Sequence, residues 1–188
     1  MNIRFETGNI FQADCDLLVF FGGAHGAQAL DGSPADAPAK PPHSCVILPT
    51  VKARAGVQMQ VHLDFYANQP RAMRVRSAIG DAMRLIVQRG AASVAINLDE
   101  ARLDEFGAIL DGLFAAAYSF QAYRKEPSKF LDELDVAIHV KDSYAARARG
   151  IFEGARAVNA GVKAARDLAN LPPAKVTPEE RERPENFW

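Results

Sequence analysis

The chain is poor in residues that carry special chemistry. Its 188 residues hold two cysteines, one tryptophan and four histidines. Cys15 and Cys45 are too few for a disulfide scaffold. Both lie in apolar, strand-like stretches and read as buried thiols of a reducing compartment, with a disulfide between them left open. His25, His43, His62 and His139 have no spacing that suits zinc, and the nearest approach, His43-Ser44-Cys45, lacks two further ligands. His62 reads as a solvated residue on the polar face of a strand, and His139 as a satisfied residue inside an apolar one. Charge of one sign is missing as well. The 22 Lys and Arg nearly balance 23 Asp and Glu, so nothing electrostatic calls for nucleic acid or an anionic membrane as partner. No run approaches the ~20 apolar residues of a membrane helix. Met1 to Glu6 lacks the basic region and apolar core of a signal peptide, which makes the cytoplasm the expected location. There is no internal repeat, no heptad array and no Gly-x-Ser-x-Gly elbow. The carboxylates at Asp99-Glu100 and at Asp132-Glu133 with Asp135 read as helix entries and turns, not as an acid/base pair.

What is present is a globular composition, 48% hydrophobic and 24% charged, in a chain long enough to bury a core without metals or disulfides. Four strands come first: Ile3 to Glu6, Asp16 to Phe21, Cys45 to Leu48, and Gln58 to Phe65. The second and third are continuous apolar runs, the signature of strands covered on both faces. The fourth alternates, with Met59, Val61, Leu63 and Phe65 on one side, which predicts a half-buried strand near a sheet edge or in a hairpin with its predecessor. Leu30 to His43 is aperiodic and reads as a loop.

Helices then alternate with strands. Pro70 opens a helix with the stripe Val75, Ile79, Ala82 and Ile86, closed by Gly90. Ser93 to Leu98 is a strand. Asp104 is placed to cap a helix whose apolar face is Phe106, Ile109, Leu110, Leu113, Phe114 and Ala117. Leu134 to Val140 is the last strand. Asp142 or Ser143 caps a final helix, Tyr144 to Ala169, of about 39 Å. Its stripe is Ile151, Ala155, Val158, Val162, Ala165 and Ala169. Close packing of another backbone would justify Gly150, Gly154 and Gly161 in that helix, with simple tolerance as the plainer alternative. The pattern predicts an α/β fold, a mixed sheet flanked by helices and ending in a long C-terminal helix.

One stretch has the makings of a ligand loop. Gly22-Gly23-Ala24-His25-Gly26 follows a buried strand, and glycines there let backbone N–H groups approach a phosphate. The candidate ligand-binding residues are Gly22, Gly23 and Gly26. No helix signal follows directly, so a plain loop is the stronger reading. Arg71, Arg74 and Arg76 do not share one helical face and read as a solvated helix start.

Beyond Phe152-Glu153-Gly154-Ala155-Arg156 the chain reads Ala164-Ala165-Arg166-Asp167-Leu168-Ala169-Asn170-Leu171-Pro172-Pro173, then Thr177-Pro178-Glu179. This stretch resembles the leucyl aminopeptidase family, peptidase family M17. There a glycine-containing helix, an Arg/Lys-Asp-Leu-x-Asn-x-Pro-Pro turn and a Thr-Pro segment join the N-terminal domain to the catalytic one. Tyr118-Ser119-Phe120 and Lys125-Glu126-Pro127 are similar to the family's segment before its last N-terminal strand. Glu6-Thr7-Gly8-Asn9-Ile10, followed by Asp16-Leu17-Leu18-Val19, resembles the opening of macro domains.

The resemblance implies a macro-like N-terminal domain over residues 1–170, with 171–188 as linker remnant and tail. It implies a non-catalytic domain with an assembly, interaction or regulatory role. Its partner would be a protein, either a second copy or an M17 catalytic domain. The family's two divalent metals, zinc or manganese, lie in the catalytic domain, whose motifs resemble Asn-Thr-Asp-Ala-Glu-Gly-Arg and a segment ending Asp-Ser-Gly-Gly. Neither motif occurs in the 188 residues, so no catalytic residue, metal ligand or cofactor is carried over. Departures from the family are a shorter segment from Ala29 to His43 and Pro184 in the helix that would follow the linker. The alternative is a free-standing macro-type module for ADP-ribose or a related nucleotide. Against it, Asn9 stands where macro domains commonly carry an aspartate, and Phe20-Phe21 replaces their Asn-containing strand end.

Overall fold

The computed structural model describes residues 1–22, 43–49, 55–63, 65–66, 68–120, 123 and 133–172. Six strands form one mixed sheet: β1 (Asn2–Thr7), β2 (Leu17–Gly22), β3 (Cys45–Pro49), β4 (Val57–His62), β5 (Ser93–Asn97) and β6 (Asp135–Val140). Their order across the sheet is β1-β6-β5-β2-β4-β3. Every pairing is parallel except β3 with β4, so the carboxyl ends of β1, β6, β5, β2 and β4 share one edge of the sheet. Among the described residues three helices follow strands: α1 (Arg71–Arg89), α2 (Phe106–Ala117) and α3 (Asp142–Asn170). This is the α/β mixed sheet with a long last helix that the pattern predicts.

Periodicity explains why these segments form these elements. In α1 the predicted stripe Val75, Ile79, Ala82 and Ile86 is buried, and Gly90 ends the helix at φ 70°, in the left-handed region that favours glycine. In β4, Met59 and Val61 are fully buried, and antiparallel pairing with β3 bears out the hairpin reading. The strand stops at His62, short of the predicted Phe65. β3 departs from expectation. It lies at the sheet edge, and burial fades along it from buried Cys45 to exposed Leu48, so its apolar run is not covered throughout.

The helices cover one face of the sheet. Leu17, Val19, Val94, Ile96, Val136 and Ile138 join the inner sides of α1 and α2 in the larger core. α1 and α2 approach so closely that a Cβ on Gly112 would stand 2.8 Å from Ile79 Cβ. The opposite face carries a smaller cluster of Ile10, Leu18, Ala95 and Ala137, roofed by a 3₁₀ turn at Ile10–Gln12. Phe11 of that turn stacks on Phe20 at 5.8 Å.

Several helix ends differ from their predicted caps. Asp104 falls inside a 3₁₀ turn, Glu100–Glu105, and pairs with Arg147 instead of capping α2, which starts after Glu105. α3 starts after Lys141, with Asp142 in its first turn, where a carboxylate meets the positive end of the helix dipole. Gly150, Gly154 and Gly161 face open space, so close packing is not the reason for them. The only buried residues of α3 are Tyr144, Ala148 and Phe152. Beyond them Ala155 is still partly buried against the core, while Val158, Val162, Ala165 and Ala169 of the predicted stripe are exposed. Among the described residues no helix is long and apolar enough to cross a membrane.

Candidate functional site

Two places gather polar groups that the fold does not consume. The first is the carboxyl edge of the parallel strands. Register places Glu6 of β1 beside His139 of β6, and Asn97 of β5 on His139's other side. His139 is 5% exposed, yet neither ring nitrogen has a hydrogen-bonding partner. Its Nε2 lies 3.3 Å from Glu6 Oε2, near enough for ionic attraction. Burial pushes the imidazole below its ordinary value, Glu6 pulls it up, and Arg4 lowers it further. Desolvation prevails, and the ring is held neutral. The satisfied histidine expected from the sequence is thus buried but unsatisfied. Gly22 ends β2 on the same edge, paired in register with His62 of β4. Gly23 and Gly26, with Ala24 and His25, lie outside the described residues. Asn9 is engaged locally, its side-chain oxygen accepting from the Phe11 amide at 3.0 Å.

The second place is a cleft between α2 and the outer half of α3. Asp111, Phe114 and Ala115 line it from α2, Val158, Asn159, Val162 and Arg166 from α3, and Arg76 from α1. Its volume is about 290 Å³. Val158 is 63% and Val162 47% exposed. The sequence stripe correctly puts both residues on the side of α3 that faces its neighbour. It could not register that the two helices do not meet there.

Elsewhere, polar groups hold structure. Glu105, 7% exposed, accepts from Arg71 Nε at 2.8 Å and from Arg102 Nη1 at 2.9 Å. Burial pushes its carboxyl up, but the two guanidiniums outweigh burial and hold it below the ordinary value. Ser44 and Tyr66 both donate to Asp81 Oδ2, tying the start of β3 to α1. Among the described residues no group of three His, Cys, Asp or Glu side chains could hold a metal. Cys15 and Cys45 are free thiols, which closes the question of a disulfide between them. Burial pushes the Cys45 thiol up to about 11 and raises Cys15 as well.

No family model matches the chain. Curated cytosol aminopeptidases do. The protein of Clavibacter michiganensis subsp. michiganensis (strain NCPPB 382) is 33% identical over 111 residues, 57% of this chain and 22% of that protein. Its counterpart in Roseiflexus castenholzii (strain DSM 13941 / HLO8) is 37% identical over 101 residues, 52% of this chain and 20% of that protein. That of Tropheryma whipplei (strain TW08/27) is 29% identical over 99 residues, 53% and 19%. A solved tomato leucine aminopeptidase variant superposes at TM-score 0.70 and 18% identity, over 96% of this chain and 40% of that one.

The fold is that of an α/β domain found in a leucine aminopeptidase. The sequence matches and the fold together are consistent with an N-terminal domain of the leucyl aminopeptidase, or M17, type. The chain spans about a fifth of the length of the curated relatives it matches.

Proposed function

We propose that this chain acts as a non-catalytic domain of the leucyl aminopeptidase type, with a role in assembly or regulation through protein contact. The observation that carries this reading is the overhang of α3. The helix is anchored by Tyr144, Ala148 and Phe152, and residues 153–170 have no buried member. That overhang is about 27 Å of helix at 1.5 Å per residue. A helix whose outer half is so little covered, though tied to α2 at Tyr118, offers a surface for further protein, and its end lies at the Leu171-Pro172 stop that resembles the family's linker. The partner is a second copy or an M17 catalytic domain, which would supply the two divalent metals. Peptide hydrolysis by this chain alone is not part of the proposal. The relatives' description as cytosol aminopeptidases supports a cytoplasmic location.

Light scattering of the purified chain, alone and mixed with a separately expressed M17 catalytic domain, tests the reading. A defined oligomer or a stable complex is expected. A strict monomer in both samples overturns it.

The carboxyl edge of the sheet favours a second reading, a macro-type module for ADP-ribose or a related nucleotide. Its support is His139, buried with neither ring nitrogen hydrogen-bonded, on the edge where Gly22 ends β2, since open α/β sheets take ligands outside the carboxyl ends of their strands. The engagement of Asn9 with Phe11 counts against it. Calorimetry with millimolar ADP-ribose decides, and absence of heat removes this reading.

A further inference from the structure

Helices α2 and α3 run side by side and are fastened at both ends of their contact. At the inner end Arg147 Nη2 lies 2.9 Å from Asp104 Oδ1, and the Phe5 ring stands edge-on to Phe106 and Phe152. At the outer end the Tyr118 hydroxyl donates to Asp167 Oδ1 at 2.8 Å, and Asn170 Nδ2 donates to the Tyr118 oxygen at 3.2 Å. The 290 Å³ cleft lies between these fastenings. A gap beside a loose helix end would close by a small rotation. Here closure would require the outer fastening to break, so the cleft is held open with two valines inside it.

The lining has an unbalanced charge. Arg76 Nη2 is paired with Asp111 Oδ2 across the mouth. The Arg166 guanidinium lies over the Tyr118 ring, 4.8 Å from its centre, and makes no ion pair among the described residues. Stacking uses the face of a guanidinium and leaves its N–H edge for a carboxylate, which it takes in bidentate fashion. The cleft therefore combines an apolar lining with one cation that makes no ion pair among the described residues. At ~30 Å³ per water the space matches roughly ten waters, the size of a single small ligand.

We propose that the cleft binds a small amphipathic carboxylate, a branched or aromatic apolar group of residue size with a carboxylate beside it. The apolar group fills the space between Phe114, Val158 and Val162, and the carboxylate meets Arg166. This site stands on the α2–α3 geometry alone and goes beyond the assembly reading.

The test is a titration of the full chain, followed through the methyl signals of Val158 and Val162, with 4-methylpentanoate and 3-phenylpropanoate. Saturable shifts at millimolar ligand are expected. Binding of 4-methylpentanamide should be about tenfold weaker, the usual loss with one charge-assisted contact. Acetate, which lacks the apolar group, should not bind. Arg166→Gln should weaken the acid about tenfold and leave the amide unchanged. Val158→Glu should abolish binding while leaving the melting temperature in place, since Val158 is mostly exposed. Equal binding of acid and amide, insensitivity to both substitutions, or no shift with either acid would overturn the proposal. Tighter binding of a leucine-ended tetrapeptide than of the free acid would also overturn it, in favour of a peptide terminus as ligand.

Discussion

The hydroxyl of Tyr118, the residue that ends α2, donates to Asp167, three residues before the end of α3, at 2.8 Å. This bond joins two helix ends that share no buried side chain nearby. Tyr118→Phe keeps the ring under Arg166 and removes the bond. One hydrogen bond of this kind contributes about 1 kcal/mol. Hydrogen exchange of the amides from 162 to 170 should therefore quicken about fivefold. The melting temperature, set by the core, should hardly move. Unchanged exchange in that segment would show that the bond does not restrain the helix.

Glu105 should make the fold sensitive to acid. Its carboxyl sits below the ordinary value of 4.5 in the folded chain. The stabilisation is complete above the unfolded value and is lost as pH falls through the folded one. Glu105→Ala should cost about 2 kcal/mol in urea denaturation at neutral pH. That is less than the ~3–5 of a fully buried pair, because the Arg71 side chain is 63% exposed. The variant should also show a flatter loss of stability below pH 4.5 than the parent.

His139 acts in a different pH window. Its folded value is depressed from 6.5, so the unfolded chain takes up a proton first as pH falls below 6.5. Stability should decline from there until the folded value is reached. Glu6 and Arg4 from β1 and Asn97 from β5 are the polar groups beside it. His139→Leu should reduce the fall in urea midpoint between pH 7.5 and pH 5.5. A fall of parental size in the variant would assign that slope to other groups.

Gly112→Ala tests the α1–α2 contact. The added methyl would stand 2.8 Å from Ile79 Cβ and 3.4 Å from Arg76 Cα, and neither is the end of a flexible side chain. Overpacking of this kind costs about 1–3 kcal/mol. The same substitution at Gly150, where nothing approaches, should be neutral or stabilising by up to ~1 kcal/mol through helix propensity. Chemical denaturation of the two variants side by side checks the contrast.

The thiols should differ in reactivity. Cys45 is buried, with its value pushed up to about 11, and Cys15 is only partly covered. At pH 8 an aromatic disulfide reagent should label Cys15 slowly and Cys45 only on unfolding. Mass spectrometry of the labelled peptides reads the order.

Where a buried stripe or an apolar run is continuous, the elements were legible. The α1 stripe and its Gly90 cap come straight from spacing. The fading burial of β3 is not legible, because Cys45 to Leu48 is apolar along its whole length and the run contains nothing about where its cover stops. The α3 stripe was read to Ala169, although full burial stops at Phe152. Periodicity shows which side of a helix is apolar, and it contains nothing about whether a neighbour lies close enough to cover it. α2 reaches the outer end of α3, where Tyr118 bonds to Asp167, yet leaves a cleft between the two helices before that point. The same limit hid the cleft. Its apolar walls were visible as helix stripes, but Arg166 and Tyr118 meet across 48 residues of chain and share no local pattern. His139 was visible as a histidine in a strand, and its lack of hydrogen bonds depended on Glu6 and Asn97 arriving from two other strands.

The position of β1 sets the timing of folding. Among the described residues its one partner in the sheet is β6, and the Asn2 side chain bonds to Asp135, 133 residues further on. During synthesis β1 must wait, unpaired, for a strand made more than 120 residues later. β2, β4 and β5 can associate early, but β6 has to insert between β5 and β1 before the sheet is complete. Such high contact order slows folding and prolongs the exposure of strand edges. A ribosome stalled before residue 135 would carry a β1 with no place in the sheet, and holdase chaperones should bind those nascent chains more than chains released past Val140.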